Sequence, residues 1–171
     1  MQRPAKSEHS EYYGKYISLI PDAEGLAVLR SQLTTLPALF ASLTEEQGLH
    51  RYAPDKWTIK ESISHLLDGE RIFAYRLLRI SRGDQTPLPG FEQDVYIENS
   101  DANNRTFASL LEEFDAQRRS NLLMIESISP ERLLWQGTAS DAVVSVRALI
   151  YIMAGHVRHH EQLFREKYGL R

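Results

Sequence analysis

Three of the chain's six histidines, His156, His159 and His160, fall within the ten residues AGHVRHHEQL. Imidazole is the commonest metal ligand among side chains, so the first question is whether this cluster offers nitrogens to one ion. The apolar residues around it recur at helical steps: Val146, Leu149, Met153, then His156 and His160, then Leu163 with Phe164 beside it. His156 and His160 thus stand where a helix would otherwise place core residues. An i, i+4 pair projects both rings from successive turns of one face. His159 lies about 60° to one side of that stripe, although an HxxH pair is also a legitimate ligand spacing.

Two ligands are too few for a catalytic zinc-type site, which takes three from the protein and leaves a position open. The other long helical segments hold one histidine, His65, near the edge of an apolar face and followed one turn later by Gly69. A glycine there leaves room beside a metal or ligand, or simply lets two helices pack closely. The ordinary reading stays open as well, because a histidine near an apolar face is commonly a hydrogen-bonded structural residue. His9 and His50 fall in polar segments outside the long helices. Other metal and nucleotide patterns are missing: there is no HExxH, no ExxH on paired helices, no P-loop, no GxGxxG and no GxSxG.

The elements that must position these residues are helices. AEGLAVLRSQLTTLPALFASL follows Asp22, a plausible N-cap, and carries Pro37 inside its pattern, which predicts a kink or break. KWTIKESISHLLDGERIFAYRLLRISRG has capping-box spacing at Thr58 and Glu61, a stripe of Ile59, Ile63, Leu66, Phe73, Leu77 and Ile80, and Gly83 as a stop. A third helix is predicted from about Thr106, with Phe107, Leu111, Phe114, Leu122, Ile125 and Ile128 inward. SPERLLW reads as a short helical turn, and the last helix runs from about Val146 to Tyr168. No strand and no internal repeat is predicted. Residues 83–104, with two prolines and two glycines, form an unusually long connection, of the kind that often serves function. The expected fold is all-α: one domain over residues 1–171, a four-helix bundle of up-down-down-up topology, with the long crossover passing over one bundle end between helices 2 and 3.

Composition narrows the function classes. A net charge of −3 lacks the basic excess of a nucleic-acid-binding surface, and no run approaches the roughly 18 apolar residues of a membrane span. The N-terminal residues show no secretory signal pattern, and the chain has no cysteine, which removes disulfides, thiolate ligands and a cysteine nucleophile. A cytoplasmic protein with a small-molecule substrate is the expectation, without nucleic acid or membrane partners and with room for a homodimer.

The segments RYAPDKWTIKESISHLLDGERIFAYRLLRISRGDQTPLPGFEQDVY and SVRALIYIMAGHVRHH resemble the DinB/YfiT-like family of bacterial metal-dependent enzymes. The likeness runs from YYGKYISLIPD through the last helix, and the tryptophan-led second helix, the histidine eight residues later and the terminal HxxxH occur in the family's order. The resemblance implies an up-down-down-up four-helix bundle and a divalent ion, nickel or zinc, held by three histidines. Those positions fall here on His65, His156 and His160. It also implies either a hydrolase or a transferase of a low-molecular-weight thiol such as bacillithiol or mycothiol. A metal-binding, stress-related sensing module without turnover is the alternative.

No general base is evident from the sequence. Glu61 sits one turn before His65, within reach of its second ring nitrogen, but the capping box with Thr58 is the favoured role. Asp68 and Glu70 read as solvated or paired, and Arg147 and Arg158 as surface charges. The tyrosines of EYYGKY and Tyr96 are candidates for the pocket mouth or for plain apolar anchors.

Overall fold

The computed structural model describes residues 1–20 and 25–171. The N-cap expected at Asp22 lies outside them. The helices are α1 (Glu11–Ser18), α2 (Gly25–Ala38), α3 (Ile59–Ser81), α4 (Gln93–Glu98), α5 (Phe107–Glu126) and α6 (Val146–Glu166). Strands β1 (Gln136–Ala139) and β2 (Ala142–Ser145) form an antiparallel hairpin that enters α6.

Local chemistry sets the helix limits. At α3 the Glu61 backbone N–H donates to Thr58 Oγ1 at 3.0 Å while Glu61 Oε2 accepts from the Thr58 N–H at 2.8 Å, completing the predicted capping box. Thr106 caps α5 through the Ser109 N–H at 3.1 Å, and Ser145 caps α6 through the Ala148 N–H at 3.0 Å. Pro37 lies inside the last turn of α2, which ends at Ala38. Gly83, just past α3, takes a φ of +82°, a left-handed conformation that glycine adopts without strain.

The long helices pack in a ring: α2 touches α6 and α5, and α3 touches α6 and α5. Contacts between α3 and α5 advance in the same direction along both. Asn103 donates to Glu61 at 2.7 Å, Arg71 pairs with Glu113 at 2.5 Å, and Arg118 and Asn121 reach Glu70 at 2.8 and 2.9 Å. The predicted stripe of α3 is buried throughout, whereas in α5 Leu110 rather than Leu111 takes the core position. In α6 Leu163 is only half-buried, and Phe164 replaces it in the core.

Three departures from the sequence reading have physical causes. The hairpin has four-residue strands carrying Gly137 and little alternation, too short for a period-two signal. Its turn places Ser140 and Asp141 at positive φ, a conformation that Asp tolerates well, so the signal was there but weak. The N-terminal tyrosines lie on α1, whose eight residues are too few to show periodicity. The long connection holds α4 and runs alongside α3 instead of over a bundle end. It pairs Leu88 with Ala139 and returns at Asn103, which accepts from Thr58 Oγ1 at 2.7 Å. Among the described residues, no helix is long and apolar enough to cross a membrane.

Candidate metal centre

Because α3 and α6 pack face to face, His65 meets the two histidines of α6. His65 Nε2 and His156 Nε2 are 3.0 Å apart, and His160 completes a group whose candidate donor atoms all lie within 4.8 Å of one another. Ring centroids of His65–His160 and His156–His160 are 5.0 and 4.9 Å apart. All three side chains are buried, at 5%, 5% and 6% exposure. His159 stays outside, half-buried with its ring 5.5 Å from that of Tyr16.

The packing explains how these rings fit. A Cβ on Gly69 would stand 2.9 Å from His156 Cε1, so the absent side chain makes room for that imidazole. A Cβ on Gly155 would fall 2.1 Å from the Tyr16 carbonyl oxygen, so α1 rests directly on the backbone of α6. That close approach brings the Tyr16 ring to 5.3 Å from His156. Trp57 flanks His65 at 4.8 Å and Phe73 flanks His156 at 5.6 Å. Burial lowers the basicity of all three histidines. His65 is pushed down to about 4, mainly by burial and then by His159. Burial and then the neighbouring imidazoles put His156 and His160 well below their ordinary value of 6.5.

Whether these residues suit a divalent cation can be tested on their own geometry. Neutral imidazoles present lone pairs, and His160 Nδ1 is buried without a hydrogen-bond partner, a costly condition that a cation or water can relieve. For three donors no more than 4.8 Å apart, an ion can stand within about 2.8 Å of each, less than an ångström beyond a zinc–nitrogen bond of about 2.0–2.1 Å. Small ring rotations close that difference. The residues fit the group.

Two clefts open beside the histidines. The larger, of about 580 Å³, is lined by His65, His156, the tyrosines of α1, Phe73 and Ser140. The smaller, of about 320 Å³, is lined by His160, Trp57 and Tyr168. Gln93 and Asp94 of α4 line both, and Glu92 lines the larger. These two carboxylates were not legible in advance, because nothing local ties a residue of the long connection to the histidines.

The other candidates fall elsewhere. Glu61 is engaged by Thr58, Asn103 and Arg51, so the capping role holds and His65 does not bond to it. Asp68 and Tyr96 line a separate groove with Arg71, where burial raises the Asp68 carboxyl. Glu70 pairs with Arg118 in the interior. Arg147 is no surface charge: it pairs with buried Glu8, whose carboxyl is held down to about 2, chiefly by that bond. Arg158 is partly exposed, 3.7 Å from Glu161. Tyr12, Tyr13 and Tyr16 do line the larger cleft.

These buried imidazoles make stability depend on pH. In the unfolded chain a histidine takes up a proton near 6.5, whereas native His65 resists protonation until about 4. Between those values the unfolded chain binds more protons, so stability falls as pH falls through that window. The metal-free protein should therefore unfold at progressively lower urea concentration from pH 6.5 to 4.5, and His65→Gln should flatten the slope. A midpoint independent of pH across that range would contradict the burial argument.

Comparison with known proteins agrees with this architecture. Residues 29–163, most of the chain, match the sequence pattern of the DinB superfamily. The fold is similar to that of YfiT from Bacillus subtilis, described as a probable metal-dependent hydrolase with an unusual four-helix bundle topology. The TM-score is 0.68 at 15% identity, covering 99% of this chain and 95% of that one. No curated protein matches.

Proposed function

The chain belongs to the DinB superfamily, and from that premise we propose that it is a metal-dependent enzyme. His65, His156 and His160 would hold one divalent ion, nickel or zinc. The reaction is either hydrolysis, as in the description of YfiT, or transfer of a low-molecular-weight thiol to a small-molecule electrophile. One observation carries this reading: three buried, neutral imidazoles from two helices converge within 4.8 Å beside an open cleft. The up-down-down-up path belongs to the same proposal, supported by the same-direction contacts of α3 with α5.

A divalent ion held there would supply Lewis acidity, enough to bring a bound water to a pKa of about 7 or to hold a bound thiol as thiolate. The residues of the chain do the rest. Burial keeps the imidazoles unprotonated and available as donors. Trp57, Tyr16 and Phe73 pack around the rings, limit water on the protein side and hold the imidazole planes. Asp94, the exposed carboxylate that lines both clefts, would accept the nucleophile's proton at an Oδ atom.

Protein purified without a histidine tag should reload to one nickel or zinc per chain by elemental analysis. It should then turn over either bacillithiol with an alkyl halide or a nitrophenyl ester, and a chelator or His65→Ala should abolish that rate. Substoichiometric metal after reloading would overturn the centre. Stoichiometric metal with no turnover on either substrate class would make the protein a binding or sensing module.

A further inference from the structure

On α3 the residues His65, Gly69, Phe73 and Arg76 follow one face, and the first three line the larger cleft. Arg76, about 16 Å along the helix from His65, stands behind the cleft wall with only 2% exposure. Its Nη1 donates to Tyr13 Oη at 3.2 Å, and its Nη2 donates to Ser140 Oγ and to the Pro89 carbonyl, each at 2.8 Å. Among the described residues no carboxylate pairs with it. A guanidinium this buried carries a full charge with only neutral acceptors around it, an arrangement that favours an anion nearby.

The two hydroxyls indicate where that anion would sit. A hydroxyl has one proton to give, and one that accepts from a guanidinium directs its own O–H away from it. Tyr13 Oη and Ser140 Oγ make no other protein hydrogen bond among the described residues. Both residues line the cleft. They thus present two O–H donors to the cleft, backed by a buried positive charge that low polarity screens little. Glu92 and Asp94 also line the cleft, but both are exposed, so solvent screens their repulsion. The remaining wall is aromatic, with Tyr12, Tyr16, Phe73 and Phe91.

We infer that Tyr13 and Ser140, charged from behind by Arg76, form a carboxylate subsite, and that the substrate is an organic acid with an apolar body. The carboxylate lies on the two hydroxyls and the apolar part on the aromatic wall, with the reacting group toward the histidines. The placing of the reacting group rests on the function proposed above, whereas the subsite rests only on Arg76 and its partners.

The probes are 4-fluorophenylacetate and its neutral amide, followed by fluorine NMR titration on metal-free and metal-loaded protein. The acid should bind at least tenfold tighter than the amide in both forms. Tyr13→Phe combined with Ser140→Gly should erase that preference while circular dichroism and metal affinity stay unchanged. Glycine suits position 140, whose φ is +51°. Arg76→Met should act likewise, and if it fails to fold the double variant decides alone. Equal binding of acid and amide would overturn the subsite. So would an acid preference that survives the double variant but vanishes in His160→Ala, since the carboxylate would then sit on the metal. Failure of metal loading with the acid preference intact would sink the proposed centre and leave the subsite standing.

Discussion

His160→Ala is expected to weaken zinc or nickel binding by at least one to two orders of magnitude, whereas His159→Ala should change it little. Losses of that size follow even from removing partners that only orient ligands, and position 160 would supply one of three nitrogens directly. The two neighbours differ in placement. The His160 ring is buried 4.9 Å from His156 and 5.0 Å from His65, while His159 is half-buried and packs against Tyr16. Calorimetric titration of the two variants with zinc separates them. Tight binding by the His160 variant together with lost binding by the His159 variant would show that the ligand is the other ring.

The second large effect concerns the scaffold. Arg118→Met should destabilise the fold by about 3–5 kcal/mol, the cost of stranding one partner of a buried ion pair. Arg118 is 0% exposed and grips Glu70 through two parallel bonds of 2.8 Å from Nε and Nη2. Its Nη1 also donates to Gln32 Oε1 at 2.8 Å and to the Leu29 carbonyl at 3.1 Å. One side chain of α5 therefore fixes both α2 and α3. Glu70 follows Gly69 on α3, so this clamp also sets the roll of the helix that presents His65. Urea unfolding at pH 7 measures the loss. Replacing both partners, as in Glu70→Leu with Arg118→Met, should recover much of it, because the stranded charge is then gone. If the single variant lost less than about 1 kcal/mol, the pair would be solvated in solution.

Both ends of that clamp interrupt an apolar stripe. In α5 the inward residues Phe114 and Leu122 are eight apart, and Arg118 stands between them at i+4 from each neighbour. In α3 Glu70 occupies the corresponding gap between Leu66 and Phe73. A charged residue inside each of two apolar stripes is a signature of a buried pair, although a stripe alone cannot name its partner.

The approximate spans of α3, α5 and α6, the cap at Thr58, and the shared face of His156 and His160 were all readable along the chain. Each depends on residues three or four apart, which the helix repeat brings together whatever surrounds them. The meeting of His65 with that pair had a weaker basis, a single histidine on another helix together with a family resemblance, because no local rule brings residues 91 positions apart within 3.0 Å. Packing of α3 against α6 decided it. Packing also decided that α1 closes over His156, through an approach that only glycine at position 155 permits. It likewise set Asp94 on the cleft wall, and Tyr13 and Ser140 around Arg76. These groups come from the N-terminus, the long connection and the hairpin turn. Their proximity is fixed by how helices interdigitate and loops close, which is a property of the assembled core and leaves no periodic trace in any one segment.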